Sequence, residues 1–305
     1  MQRLAVLGML VVVGSLSIAA QAPTGPTPAA IAAMQVTKVT DRLYLLTGSG
    51  VAGDFSGGNT AVFIADDGVT LVDTKLPGFG PTIVERVRSV TAKPIVRIIN
   101  THSHSDHAGS NGFFGKIEKV AHANARKRMD GGPGYTDAGP DVVPQRSYQD
   151  RLTIGSGADQ IDLYHFGPAH TDGDTFVVFT ALRAMHAGDV FAWKALPFVD
   201  NAAGGTVLGH ARALKSAVDT VKNVTTIING HIPVSRWDDL RQYAEFSQDF
   251  ADYATRARQA GKTVDQAAAE YKVPERFTGY TATVIPTITV AQNMKHAYDE
   301  LERRK

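Results

Sequence analysis

The sequence predicts an α/β (α+β) chain built on a large mixed sheet system. Three observations predict it. Short apolar runs and helical periodicities interleave from Val36 to His231, the runs are bounded by Gly, Pro and Asp, and the remainder after His231 turns helical. With 305 residues, 43% hydrophobic and 20% charged, the chain is long enough to bury a sizeable core and has ordinary globular composition.

The elements follow in order. Arg3 precedes an apolar run from Leu4 to about Ala20, and the small residues Ala20 and Ala22 close it, so residues 1–22 read as a secretory signal peptide and the protein as periplasmic or secreted. Contact with a membrane is expected only if this segment stays uncleaved. Residues 23–35 are rich in Pro and Ala and read as a flexible linker. "NTAVFIADDGVTLVDT", residues 59–74, is a β-hairpin of two β-branched runs around Asp66, Asp67 and Gly68. Pro81 opens a helix with Val84, Val87 and Val90 at helical spacing. "PIVRIIN", residues 94–100, is a strand, and "KIEKVAHANARKRM" fits a strand followed by a helix. Residues 130–150 hold several Gly and Pro without periodicity and read as a long surface loop. Further strands lie at "IDLYHF", "TFVVFT", "RAMHAGDVF" and "TTIING", with a helix around 206–221.

Beyond residue 235, Leu240, Tyr243, Phe246, Phe250 and Tyr253 form one helical stripe that Gly261 ends. Thr263 and Gln266 form a capping box for the next helix, and a last amphipathic helix runs over Val290, Met294, Ala297, Tyr298 and Leu301. These stripes read as packing surface, on the rest of the chain or on a second copy in a homodimer. Residues 36–235, with their interleaved strands and helices, are thus expected to form one domain, with 236–305 a helical extension packed on or beside it.

Charge and cysteine usage exclude several functions. Lys and Arg total 31 against 30 Asp and Glu, with no long block of one sign, so no nucleic-acid footprint is present and nucleic acid is not an expected partner. There is no Cys, so no disulfide staples the fold and any metal site must use His and carboxylate ligands.

"INTHSHSDHAGSNGFF", residues 99–114, concentrates three of the ten histidines and an aspartate between His102 and His107. In extended chain, residues i and i+2 face the same side, so His102 and His104 can grip one cation together. If a helix starts near Ser105, Asp106 and His107 turn toward a neighbouring ion. More ligands are needed. His170, Asp189 and His231 each follow a strand-like run and stand beside small residues, where side chains can converge on one sheet edge. Imidazole with carboxylate suits Zn²⁺ and its first-row relatives. Among the other histidines, His122 and His165 read as core or edge residues, His186 stands behind the Gly-Asp pair, and His210 and His296 are expected to face solvent.

The order H-x-H-x-D-H, "GPAHT", Gly-Asp and "NGHIP" resembles the metallo-β-lactamase superfamily over roughly residues 36–235. The resemblance implies a four-layer αβ/βα sandwich with two Zn²⁺ per chain on one edge. It assigns His102, His104 and His170 to one ion and Asp106, His107 and His231 to the other, with Asp189 bridging both and Asp73 of "LVDT" supporting the ligands from behind. Together with the signal segment, it implies an exported zinc-dependent hydrolase that uses a metal-bridging hydroxide to cleave a small-molecule carbonyl substrate: lactam, lactone, ester or thioester. Asp106 is the candidate proton shuttle.

Departures within the superfamily bear on the substrate. Lactamases of the cysteine-containing subclass carry Cys and, three positions on, Lys; Asp189 and Ala192 stand there. Asp189 is similar to the bridging residue of glyoxalase II and lactonases, but no basic glutathione-binding tail is visible. A β-lactamase proper and a mono-iron sulfur dioxygenase-like oxidoreductase are the alternatives. The Gly-rich loop 47–59 and the loop 130–150 are expected to touch substrate.

Overall fold

The structure, a computed structural model, describes residues 25–51, 53–132, 135, 139–283 and 288–303. The expected signal segment lies outside the described residues. Helix α1 (Pro28–Ala33) starts with Pro28 in its first turn, and Thr27 Oγ1 accepts from Ala30 N; Ala30 and the following Met34 are buried. The expectation of a flexible linker across 23–35 is therefore corrected for this stretch. Pro is preorganised for a helix start and Ala favours its interior, so the same composition that suggests a tether also suits a short helix once Met34 has a core to enter.

Two sheets follow. The first takes β1 (Val36–Thr40), β2 (Leu43–Leu46), β3 (Thr60–Ile64), β4 (Val69–Val72), β5 (Ile95–Ile99), β6 (Glu118–His122) and β7 (Arg146–Tyr148) in chain order. Its pairs are antiparallel as far as β4 and parallel from β4 to β7. The parallel crossovers carry α2 (Gly80–Arg88), α3 (Ser105–Ala108) and α4 (Ala123–Met129). The second sheet comprises β8 (Arg151–Ile154), β9 (Ile161–Tyr164), β10 (Phe176–Phe179), β11 (Ala184–His186), β12 (Thr226–Ile228) and β13 (Ser235–Arg236), ordered β13-β12-β11-β10-β9-β8. Helix α5 (Val207–Thr220) lies in the crossover between the parallel β11 and β12. Helices α6 (Trp237–Gln259), α7 (Val264–Glu270) and α8 (Val290–Arg303) close the chain.

Strand alternation builds the layers. Leu43, Leu45, Ala61, Phe63, Val72 and Ile99 face Ile161, Leu163, Val177, Phe179 and Ile228 in the core between the sheets. The alternate residues face outward: Leu46, Val62, Leu71 and Ile98 pack under α1 and α2, and Phe176, Val178, Met185 and Ile227 pack under α5, α6 and α8. The result is an αβ/βα sandwich, the predicted fold class. Helix α2 buries Ile83 and Val87 with Phe79, so its apolar face is turned by one residue from the expected Val84–Val87–Val90 line. Leu240, Tyr243, Phe246 and Phe250 of the last domain's stripe are buried against the second sheet's helix layer, within the chain itself. Among the described residues no helix is long and apolar enough to cross a membrane.

Candidate metal centre

Five strand ends open onto one edge of the sandwich. The chain leaves β5 at Ile99, runs extended through His104 (φ −71°, ψ 144°), and turns into the four-residue α3, which swings Asp106 and His107 away from His102 and His104. Asp73 follows β4, Asp189 follows β11 in a 3₁₀ turn, His231 follows β12, and His170 lies between β9 and β10. All seven residues expected as ligands meet here, and Asp73 stands behind them. Among the described residues three groups have donor atoms close enough to hold an ion: His102, His104 and His170; His102, His107 and Asp189; Asp106, His107 and His231.

The distances are short. His170 Nε2 lies 2.9 Å from His104 Nδ1, and His107 Nε2 lies 3.3 Å from His231 Nε2. Asp189 Oδ1 is 3.2 Å from His107 Nε2, while its Oδ2 is 3.1 Å from His231 Nε2 and 3.8 Å from His170 Nε2, so this carboxylate touches both halves of the cluster. Asp106 Oδ2 is 3.5 Å from the Nε2 atoms of both His107 and His231.

The partners on the far side of each ring fix its tautomer. His170 Nδ1 donates to the Phe198 carbonyl at 2.8 Å, and His104 Nε2 donates to Asp200 Oδ2 at 2.8 Å. His107 Nδ1 donates to Asp73 Oδ2 at 2.7 Å. Thr101 Oγ1 donates to the same Asp73 carboxylate at 2.6 Å and so accepts from His102 Nδ1 at 3.0 Å. In its neutral form each of these four rings spends its one N–H outward and turns a lone pair inward. Two such lone pairs at 2.9 Å repel unless a proton or a metal ion stands between them; burial would lower His104, but Asp200, Asp106 and Asp189 hold it above its ordinary range. His102 Nε2 and Asp189 Oδ1 are buried with no hydrogen-bond partner. The residues therefore fit a divalent metal pair, whose ligand imidazoles need this kind of outward anchoring.

Burial pushes His102 well down and His170 down to about 3, with the neighbouring imidazoles adding to the effect, so both rings stay neutral and able to ligate. Burial would raise Asp189, but His231 and His107 hold its carboxyl well below the usual range. Lys75, fully buried between this edge and the loop before β3, gives its ammonium to the Gly58 carbonyl at 2.8 Å, and burial pushes its amine down to about 7.

Backbone conformation is specialised at the same place. Asp73 and Lys75 are non-Gly residues with φ of 66° and 61°, a costly region that the surrounding contacts enforce. Gly58 and Gly230 admit no side chain: a Cβ on Gly58 would fall 2.1 Å from His107 Cε1, and one on Gly230 would fall 1.9 Å from Asp189 Oδ1.

Several contributors carry no sequence signal. Asp200 sits in "FVDNAAGG", an aperiodic stretch, and only folding brings it to His104. Thr101 reads as an ordinary polar residue after a strand. Asn59 donates to the Asn229 and Ile232 carbonyls at 2.9 and 2.8 Å and pins the turn that presents His231. Among the other histidines, His210 is fully buried and bonds the Val190 carbonyl at 3.0 Å, which corrects the expectation that it faces solvent. Its helix is covered on that face by the C-terminal helices. His296 is only half-buried, and His122 stacks on His165 at 3.9 Å away from the ligands. His186 accepts from Gly188 N at 3.0 Å and so supports the turn that carries Asp189.

A cavity of about 540 Å³ opens onto the cluster, lined by loop residues 48–50, 55, 57 and 59 together with Asp106, Asp189 and His231. The Gly-rich loop thus lies where substrate contact was expected. From the loop 130–150, Gly131, Gly132 and Tyr135 line a separate polar cavity of about 510 Å³ on the other side of His104.

Fold and site together define an αβ/βα sandwich with a His/Asp centre at its strand ends. The family described as the metallo-beta-lactamase superfamily matches residues 53–231, over half of the sequence, and the chain belongs to that superfamily. Solved structures share the fold. The DIM-1 metallo-β-lactamase aligns with a TM-score of 0.60 at 16% identity over 71% of this chain and 97% of its own. A metallo-β-lactamase from Pontibacter korlensis gives 0.61 at 15% identity, covering 70% and 99%. The sec-alkyl sulfatase PisA1, as a double mutant, gives 0.69 at 14% identity and covers 88% of this chain but 50% of its own.

Proposed function

We propose that this protein is an exported zinc-dependent hydrolase that uses two metal ions to cleave a carbonyl substrate, whether lactam, lactone, ester or thioester. The observation that carries the reading is the set of inward-facing nitrogens on His102, His104, His107 and His170, each ring anchored on its far side, gathered against the Asp106 and Asp189 carboxylates. His102, His104 and His170 would hold one ion, Asp106, His107 and His231 the other, and Asp189 both. Bound zinc would supply Lewis acidity and lower the pKa of water from about 15.7 toward 7, so no Ser or Cys nucleophile is required.

The chain's own residues do the rest. Asp73, Thr101, Asp200 and the Phe198 carbonyl hold the four rings in their ligating tautomers. Asp106, partly open to the cavity, is positioned to take a proton from water and pass it to the leaving group. The Phe55, Trp193 and Phe198 rings stand 5.4–6.0 Å from ligand rings and keep bulk water off them. Export is supported by the Arg3–Ala22 segment, and N-terminal sequencing of the secreted protein checks it.

The test is a hydrolysis panel of nitrocefin, homoserine lactones, aryl esters and thioesters, with and without chelator, beside metal analysis of the same preparation. Chelator-sensitive turnover with about two zinc per chain is expected. Bound iron with oxygen consumption on a persulfide, or full metal load with no cleavage across the panel, overturns the reading.

A further inference from the structure

The cavity over the cluster is apolar where it is not metal-facing. Phe55, Leu76, Trp193, Phe198 and Ile232 form its walls. The walls are built, not incidental. Trp193 and the flanking Ala192 and Ala195 form one buried cluster with Ile288 of the C-terminal segment, and Phe198 and Ile232 pack on it. Phe198 lies 5.9 Å from the His104 ring and 5.4 Å from that of His170, whereas Trp193 and Phe55 flank His231 at 6.0 and 5.7 Å.

Charge is the second observation. No Lys or Arg is found among the described residues lining the cavity. The two nearest cations in sequence are committed elsewhere: Lys75 Nζ to the Gly58 carbonyl, and Lys194 Nζ to Asp239 at 2.6 Å. A pair of divalent ions would bring four positive charges, and the carboxylates of Asp73, Asp106, Asp189 and Asp200 answer them. With that charge largely offset, and no Lys or Arg among the described lining residues, the cavity offers no cationic side chain to anchor an anionic substrate. The basic side chains Lys127 and Arg128 border the separate polar cavity, where Asp172 engages Arg128 at 2.7 Å.

We propose that this cavity is an acyl pocket and that the substrate is an uncharged carboxylic ester or lactone with an apolar acyl arm laid against Phe55, Trp193 and Phe198. The proposal rests on the hydrolase reading above and narrows it. In the step, water's oxygen bonds to the carbonyl carbon, the carbon–oxygen bond to the alcohol breaks, and water's proton passes to the departing alkoxide, giving carboxylic acid and alcohol.

The test measures kcat/KM for aryl acetate, butyrate, hexanoate and octanoate, and for a hexanoate ending in a second carboxylate. In the wild type kcat/KM should rise up to about fourfold per buried methylene until the pocket fills. The dicarboxylate should be at least about tenfold poorer than hexanoate. Phe55→Ala and Trp193→Ala should flatten the series. A flat wild-type series, or preference for the carboxylate-ended ester, overturns the proposal. Octan-1-ol titration of the metal-loaded protein, read by tryptophan fluorescence, separates the two claims. A saturable change lost in Trp193→Phe, which leaves Trp237 as the remaining tryptophan, supports the pocket even if no ester is cleaved and the hydrolase reading fails. No saturable change overturns the pocket even if hydrolysis is found.

Discussion

At the scale of single residues, the centre depends on atoms that have no other partner. His102→Ala or Asp189→Ala removes a buried, unpartnered polar atom from the cluster. Each should abolish chelator-sensitive hydrolysis and lower metal content below two ions per chain, read by elemental analysis. Wild-type turnover by Asp189→Ala at full load would refute its bridging role. Asp200 acts through His104. Asp200→Asn keeps an acceptor for Nε2–H and should retain most metal affinity, while Asp200→Ala frees the ring and should cost about 10–100-fold, measured by competition with a chelator of known affinity. Gly58 is constrained by space alone. Gly58→Ala drives a methyl into the His107 ring, so a loss of about 1–3 kcal/mol in stability and a weakened second ion are expected, measured by urea unfolding and metal titration.

At the scale of elements, strand ends and turns present the ligands, and the C-terminal helices hold the turns. Glu300 of α8 accepts from the Val207 and Leu208 amides, the free N–H groups at the start of α5. The segment before α5 carries Phe198 and Asp200, the anchors of His170 and His104. Glu300→Ala leaves these amides buried without an acceptor and should lower stability by about 1–3 kcal/mol in urea unfolding. Because the same turn holds two ligands, metal release on dilution into chelator should also accelerate; unchanged release kinetics would show that α8 supports the fold without reaching the centre.

At the scale of the whole molecule, buried histidines away from the metal cluster add to the acid sensitivity of the fold. Burial pushes His210 down to about 4, against a weaker pull upward from the Val190 carbonyl. Burial and then the stacked His165 push His122 to about 4 as well, with Asp172 and Asp150 pulling the other way. Between pH 6.5 and 4 the unfolded chain binds protons that the folded chain refuses, so stability is full above 6.5 and falls as the pH drops through this window. For fully buried His210 the slope is on the order of 1 kcal/mol per pH unit. Melting curves of chelator-treated protein from pH 8 to 4 should show this decline, and His210→Gln should make it shallower; an equal slope in the variant would assign the decline to other groups.

Much of this was legible along the chain. Short apolar runs such as those holding Phe63 and Val177 named the strands, the Leu240–Phe250 stripe named a packed helix, and the HxHxDH run with His170, Asp189 and His231 named the centre. Those signals are local, because periodicity and spacing follow from backbone geometry. Short strands such as β7 and β13 were not legible, since two or three residues hold no period. Nor were the roles of Asp200, Thr101 and Asn59, or the burial of His210, because each depends on what folding brings from distant positions. The sequence by itself determined the fold class, the ligand types and the absence of thiolate chemistry. Only the tertiary structure decided which nitrogen of each ring faces inward, which carboxylates stand behind, and which aromatic rings line the cavity. These are contacts between residues far apart in the chain, and nothing in their immediate neighbours requires them.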